Sequence, residues 1–248
     1  MGDRIAFVTG GTGGIGSAIC EKLHDDGFKV VAGYFSGGKH ERAQAWQAQQ
    51  KENGRDMEIA YGDASDHDSA KACVEGIIEK FGPISVLVNN AGITRDGFFK
   101  KMTFDKWSEV ITANLDSTFN VTRYAYEGML EQGYGRVINI SSINGQKGQA
   151  GQVNYSAAKA GMHGFTKALA QECANKGVTI NTISPGYVAT AMVTAIKPEI
   201  LEKIVAGVPM KRLGKPEEIA ACVAYLASDL AGFVTGANIA INGGQYMM

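Results

Sequence analysis

The sequence predicts a single α/β domain built on a doubly wound, mostly parallel sheet flanked by helices, and three observations carry that prediction. First, seven short apolar runs punctuate the 248 residues, reading RIAFVTG, KVVAGY, DMEIAY, SVLVNN, GRVINIS, VTINTIS and ANIAING. They are rich in β-branched residues, and several are nearly unbroken in hydrophobicity, as strands covered on both faces should be. Second, longer amphipathic stretches lie between them, among them residues 16–26, 40–53, 66–81 and 155–176. Strand–helix alternation of this kind requires right-handed crossovers and hence a parallel sheet. Third, no internal repeat, low-complexity tract or Pro/Ser linker breaks the pattern, so one domain is expected over residues 1–248.

The first strand runs directly into VTGGTGGIGSAI, where Thr9, Gly10, Gly14 and Gly16 give the spacing T-G-x-x-x-G-x-G and Gly13 and Ile15 complete the turn. Such a turn lets the backbone approach a pyrophosphate, whose charge meets the N-terminus of the following helix. A glycine run alone is equally a plain βα turn; its place after strand one makes it a candidate dinucleotide site. The second strand ends VVAGYFSGGKHER, with no Asp or Glu before Glu41 and with Ser36, Lys39, His40 and Arg42 instead. An acid there would bond a ribose 2′-hydroxyl and repel a 2′-phosphate, whereas a base would pair with it. NADP(H) is therefore the predicted cofactor; a solvated helix start is the other reading of Lys39 and Arg42. Asp63 follows strand three as a candidate adenine-edge contact or a turn former. Asn90, Ala91 and Gly92 close strand four at the carboxyl edge, where open α/β sheets bind ligands, although Asn also caps turns.

Strand five ends beside Ser142, thirteen residues before Tyr155, and Lys159 follows Tyr155 by one helical turn on the same face. A free tyrosine titrates near pH ~10. An ammonium about 4–5 Å away contributes roughly 3–4 kcal/mol at an effective dielectric of ~20. Lys159 is thus expected to lower the phenol by roughly two to three pH units, making a general acid–base. Ser142 has the hydroxyl to bond a substrate carbonyl, and Asn114, within ITANLDSTF, the amide to anchor a water that joins Lys159 to solvent. Alone, a Y-x-x-x-K pair is also an ordinary exposed helix turn. Residues 183–214, with Pro185, Pro198 and Pro209, read as an insertion between two strands and are expected to form a lid over the site.

Bulk composition narrows the function. With 24 basic and 25 acidic residues well mixed, net charge −1, there is no basic face for nucleic acid and no polybasic segment for a membrane. Cys20, Cys73, Cys173 and Cys222 lie far apart, which suits free thiols in a reducing compartment. The four histidines are equally scattered, so no metal site is expected. The N-terminus enters a strand with no signal peptide ahead of it, and Ala6 stands where a myristoylation motif at Gly2 needs Ser or Thr. A cytoplasmic protein is the expectation.

Together, T-G-x-x-x-G-x-G, N-N-A-G, the strand-end serine and Y-x-x-x-K resemble the short-chain dehydrogenase/reductase family over essentially the full length. The resemblance implies a seven-stranded Rossmann sheet and catalytic positions at Asn114, Ser142, Tyr155 and Lys159. It implies hydride transfer from nicotinamide, with Tyr155 as proton donor and Lys159 bound to the nicotinamide ribose. It further implies that the segment from Pro185 through Gly186 and Val188 to Thr190 covers the nicotinamide, and that the protein is a homotetramer. NNAGITRD and NYSAAKAG look like the acyl-thioester branch, which reduces 3-oxoacyl carrier-protein and acetoacetyl-CoA substrates. NGQKGQAGQ and INGGQYM look more like the acetoacetyl-CoA reductases of polyhydroxyalkanoate synthesis. Carried over by position, substrate contacts fall on Asp96, Ser142, Gln149, Ala150, Gln152, Tyr155, Gly186 and Tyr187, and an acyl-CoA is the expected partner. Gly133 is not the basic residue that carrier-protein reductases commonly have there, whereas Lys176 fits a second docking position.

Overall fold

The computed structural model describes residues 4–247, so Gly2 lies outside the described residues. Each predicted run is a strand: β1 (Ile5–Val8), β2 (Lys29–Tyr34), β3 (Glu58–Tyr61), β4 (Ile84–Asn89), β5 (Gly135–Ile140), β6 (Val178–Pro185) and β7 (Asn238–Ile241). They form one sheet in the order β3-β2-β1-β4-β5-β6-β7, parallel at every pairing. The chain reverses its direction of winding between β1 and β4, so the crevice for ligands opens at the carboxyl ends of those strands.

Side-chain alternation along the strands builds two cores, one per face. Val8 points to a cluster with Ile19 and Leu23 of α1 (Gly14–Asp25) and with Ile219, Val223 and Leu226 of α10 (Pro216–Ala227). Phe7, its neighbour, points the other way, to Val74 and Ile77 of α3 (His67–Phe81), Val121 and Met129 of α5 (Ser117–Gln132), and Cys173 of α7 (Val153–Cys173). Beside the sheet, α2 (Glu41–Glu52) follows β2. Helix α3 starts where the Asp66 carboxylate accepts from the Ser69 N–H at 2.8 Å, and α5 ends at Gly133, whose φ of 63° is left-handed.

Between β4 and β5, α4 (Phe104–Ile111) runs into α5 through a five-residue π-helical turn, Thr112–Asp116. A short α6 (Ile143–Lys147) precedes α7, which begins two residues before Tyr155. The insertion starts later than expected. Strand β6 continues through Pro185, because residues 182–185 pair in register with β7. Beyond it lie α8 (Ala191–Thr194) and α9 (Pro198–Ala206), the latter with Pro198 in its first turn, where a missing N–H costs nothing. The base closes on itself: Val188 bridges Gly214, Ala189 N–H donates to Gly214 O at 2.8 Å, and Gly214 N–H to Tyr187 O at 2.9 Å.

At the other end of the strands, Arg4 and Arg136 lie over the Tyr134 ring at 3.7 and 4.3 Å. Arg136, 5% exposed, donates to Gly135 O at 2.9 Å and Gly177 O at 3.1 Å, while Arg4 pairs with Asp229 at 2.7 Å.

Candidate active site

The glycine turn after β1 is shaped by close backbone approach. Gly10 and Gly14 adopt left-handed φ values of 64° and 53°. A Cβ on Gly16 would stand 2.2 Å from the Gly10 carbonyl oxygen. Gly13, by contrast, faces open space with nothing within 4 Å of an added Cβ, and α1 starts there with no side-chain cap and no acid in its first turn. Uncapped N–H groups at a helix N-terminus carry partial positive charge, so this open turn fits a diphosphate. Thr9 and Asn90 fix it: the Thr9 hydroxyl accepts from Asn90 N and Ala91 N, both at 3.0 Å, and Asn90 Nδ2 donates to Thr9 O and Gly10 O.

Beside the turn lies a cavity of about 420 Å³ lined by Gly10, Gly33, Tyr34, Asp63, Ala91 and Gly92, among others, large enough for part of a dinucleotide. Asp63 is held there by accepting from the Ser65 N–H and hydroxyl at 2.9 and 2.6 Å. Arg42 is exposed on the first turn of α2 and does not line this cavity. The end of β2 is instead aromatic, with the Tyr34 hydroxyl 2.8 Å from His40 Nδ1 and the His40 ring 4.9 Å from that of Tyr61.

Ser142, Tyr155, Lys159 and Asn114 converge at the carboxyl edge of β4 and β5. Ser142 caps α6 by accepting from Asn144 N–H at 3.1 Å. Lys159 is 3% exposed; its Nζ donates to Ile140 O at 2.8 Å and lies 5.6 Å from the centre of the Tyr155 ring. The Ser141 hydroxyl donates to the Lys159 carbonyl at 2.8 Å and locks α7 onto β5. Asn114 is fully buried in the π-helical turn, and π turns, which open the helical register, recur at functional sites. Its Nδ2 donates to Ile93 O and Val110 O at 2.9 and 2.8 Å, which leaves Oδ1 buried without a protein partner. Gly92 is why this oxygen fits: a Cβ there would lie 2.3 Å from it and 3.5 Å from Lys159 Nζ.

Electrostatics at the pair differ from expectation. Burial pushes the Tyr155 phenol up; the Ser142 hydroxyl works the other way, and the Asp96 carboxylate adds to the rise. Burial also pulls Lys159 down to about 7. The expected lowering of Tyr155 by Lys159 rests on the Coulomb attraction and omits the cost of holding the phenolate itself out of water, which here is the larger effect.

Of the residues carried over for substrate, Asp96 and Gln152 come together, joining the loop after β4 to the segment before α7. The Asp96 carboxylate accepts both bonds of Gln152 Nε2, at 2.9 and 3.0 Å, and Gly97 N–H donates to Gly151 O at 2.8 Å. Gln152 Oε1 in turn accepts from Asn144 Nδ2 at 2.7 Å. Sequence reasoning misses Asn144; its place two residues past Ser142 is the one signal that could have found it. Gln149 accepts from Lys147 at 3.1 Å and Ala150 is exposed in the same loop. Gly186, at the end of β6, lies so close to Asn242 that a Cβ would be 2.9 Å from its Cα. Pro185 and Val188 flank it, and Val188 is buried. Thr190 reaches the glycine turn, its methyl group 3.7 Å from where a Cβ on Gly14 would stand. Tyr187 instead lines a second cavity of about 400 Å³ with Met210, Asn242 and Tyr246. Among the described residues no three His, Cys, Asp or Glu side chains group as metal ligands, and no helix is long and apolar enough to cross a membrane.

Residues 10–245 match a family model described as enoyl-(acyl carrier protein) reductase. An acetoacetyl-CoA reductase of Cupriavidus necator is 56% identical over 100% of both chains. One of Allochromatium vinosum is 54% identical over 98% of this chain and 99% of its own. A 3-oxoacyl-[acyl-carrier-protein] reductase of Vibrio cholerae is 42% identical over 99% of this chain and 98% of its own.

Proposed function

Because the chain belongs to the short-chain dehydrogenase/reductase family, we propose that it reduces acetoacetyl-CoA to (R)-3-hydroxybutyryl-CoA with NADPH, as in polyhydroxybutyrate synthesis. The observation that carries the reading is the meeting of Ser142, Tyr155, Lys159 and the unpartnered Asn114 oxygen beside an open glycine turn. Full-length identity to acetoacetyl-CoA reductases, higher than to the carrier-protein reductase, favours the CoA thioester. The missing acid after β2, with Lys39, His40 and Arg42 in its place, favours the 2′-phosphate.

The turn from Gly10 to Gly16 and the start of α1 would hold the diphosphate, with Asp63, Asn90, Ala91 and Gly92 along the adenosine side and Pro185, Gly186 and Val188 across the nicotinamide. When bound, the nicotinamide supplies the hydride to C3 of the substrate. Ser142 donates a hydrogen bond to the C3 carbonyl oxygen and holds it toward Tyr155. The phenol then gives its proton to that oxygen, which becomes the alcohol. Because burial raises Tyr155, the phenol stays protonated at neutral pH and is ready to act as the acid. Lys159, held by the Ile140 carbonyl, returns the proton along a route that passes the Asn114 oxygen. Asp96 and Gln152 border the thioester, and the segment after Pro185 closes over it as a lid. Four free cysteines suit the reducing cytoplasm in which acyl-CoA and NADPH meet. A homotetramer is supported by the apolar groove between α5 and α7, lined by Phe119, Tyr126, Leu130, Phe165 and Leu169.

The test is turnover of acetoacetyl-CoA with NADPH and with NADH, compared with the same acyl group on a carrier protein. Substitution Tyr155→Phe should abolish turnover, by about 10²–10⁴-fold for a lost general acid. Unchanged NADPH oxidation by this variant would refute the mechanism, and faster reduction of the carrier-protein substrate would move the enzyme to the fatty-acid reductases.

A further inference from the structure

The segment 97–106, GFFKKMTFDK, leaves the mouth of the candidate site and exposes side chains that folding normally covers. Phe98, Phe99 and Phe104 are 72%, 73% and 79% exposed, where a soluble surface ordinarily shows such residues singly. Lys100 and Lys101 complete a single 3₁₀ turn with Phe99, both exposed, and among the described residues neither joins an ion pair. The nearby acids are engaged: Asp96 with Gln152, and Glu109 with Arg95 at 2.7 Å; Asp105 sits in the first turn of α4, where the helix dipole favours it. The segment is also fixed. Gly97 is bonded to Gly151, Lys106 Nζ reaches Asp96 O at 3.5 Å, and Thr103 caps α4 by accepting from Lys106 N–H at 3.3 Å.

We propose that this aromatic and basic patch binds the 3′-phospho-ADP end of coenzyme A while the thioester reaches Tyr155. The assignment rests on the acyl-CoA reading above. Its ground is complementarity of two kinds. Adenine offers a flat π face for stacking on Phe98, Phe99 or Phe104, and the phosphates offer several negative charges to the free ammonium groups of Lys100 and Lys101. An acidic carrier protein satisfies the lysines, but the nucleotide end of coenzyme A carries a flat base and the phosphates together in one small ligand. The patch starts one residue from Asp96, so a ligand lying on it continues directly into the loop that Gln152 holds.

Two double variants, F98A/F99A and K100E/K101E, test this against three substrates: acetoacetyl-CoA, acetoacetyl-pantetheine and the acetoacetyl carrier protein. The wild type should show a lower KM for the CoA thioester than for the pantetheine thioester. Each variant should raise KM for acetoacetyl-CoA about tenfold, as expected for two lost surface contacts, with kcat unchanged. Neither should alter KM for acetoacetyl-pantetheine, which also reports that the variants fold. Equal wild-type KM for the two small thioesters, or variants that keep the CoA preference, would overturn the proposal. So would an effect confined to the carrier-protein substrate, or dissociation of the oligomer by F98A/F99A with loss on all substrates. Failure of the wild type to reduce any of the three would instead strike the function proposed above.

Discussion

Lys159 is a residue whose chemistry is strongly altered by where it lies. Burial lowers it from 10.5 to about 7, so between those values the unfolded chain binds a proton that the folded chain has lost. Stability contributed through this group therefore rises as pH increases from about 7 toward 10.5, and below 7 the buried charge is fully destabilising. Denaturant titrations of wild type and Lys159→Met across that range should show the wild type gaining on the variant as pH rises; parallel curves would contradict the burial effect. Gly92 has a steric constraint. The Asn114 oxygen that its Cβ would strike cannot withdraw, since the same amide is tied to Ile93 and Val110. Gly92→Ala is expected to cost about 1–3 kcal/mol, as overpacking does, and to reduce turnover more than an equally destabilising change elsewhere; activity measured beside a thermal melt checks both. Ser142, Tyr155 and Lys159 stand out in the sequence as candidates only in combination with the glycine turn and N-N-A-G, and the family resemblance adds Asn114 to the set. The direction of the Tyr155 and Lys159 shifts was not legible there, because solvent exclusion at Lys159 is made by β5, α6 and the π turn together, none of which a local window contains.

Helices and strands differ in how openly the sequence announces them. The five inner strands were readable because a buried parallel strand has no polar face to disguise it, whereas the edge strands β3 and β7 are only partly buried and show through their β-branched and aromatic residues. The rod from Phe104 to Gln132 was harder. Its middle, TANLD, is a π turn that shifts the helical register, and no periodic template marks such a shift. The link from Asn144 of α6 through Gln152 to Asp96 joins the β5–α7 connection to the loop after β4, so only the folded chain displays it. Where an element's start rests on one side chain, the consequence is simple to measure. The Asp66 side chain caps α3 through Ser69 N–H, while its backbone N–H, which a substitution keeps, donates to Asp63 O at 3.2 Å. Asp66→Ala should lower stability by about 1 kcal/mol with KM and kcat unchanged; a kinetic effect would mean that α3 helps to place Asp63.

Across the whole molecule the two ends of the sheet divide the labour. The candidate site residues gather at the carboxyl ends of β1, β4 and β5, while the amino ends are fastened by Arg4, Tyr134, Arg136 and Asp229. Arg136→Met would remove the guanidinium bonds to the Gly135 and Gly177 carbonyls, the latter keeping Gly135 N–H at 3.3 Å, and leave Arg4 alone on the ring. A loss of about 1–3 kcal/mol is expected for the lost charge-assisted hydrogen bonds and ring contact, with catalytic constants intact, and urea melts with steady-state kinetics on the same preparation would separate the two. The bridge between Val188 and Gly214 gives the opposite end a different property. Everything between those residues enters and leaves the sheet through one clasp of backbone hydrogen bonds. Natural variation or engineering can therefore lengthen, shorten or exchange that stretch as an interchangeable cassette, and under the proposed function acyl preference would drift while the scaffold beneath it stays the same.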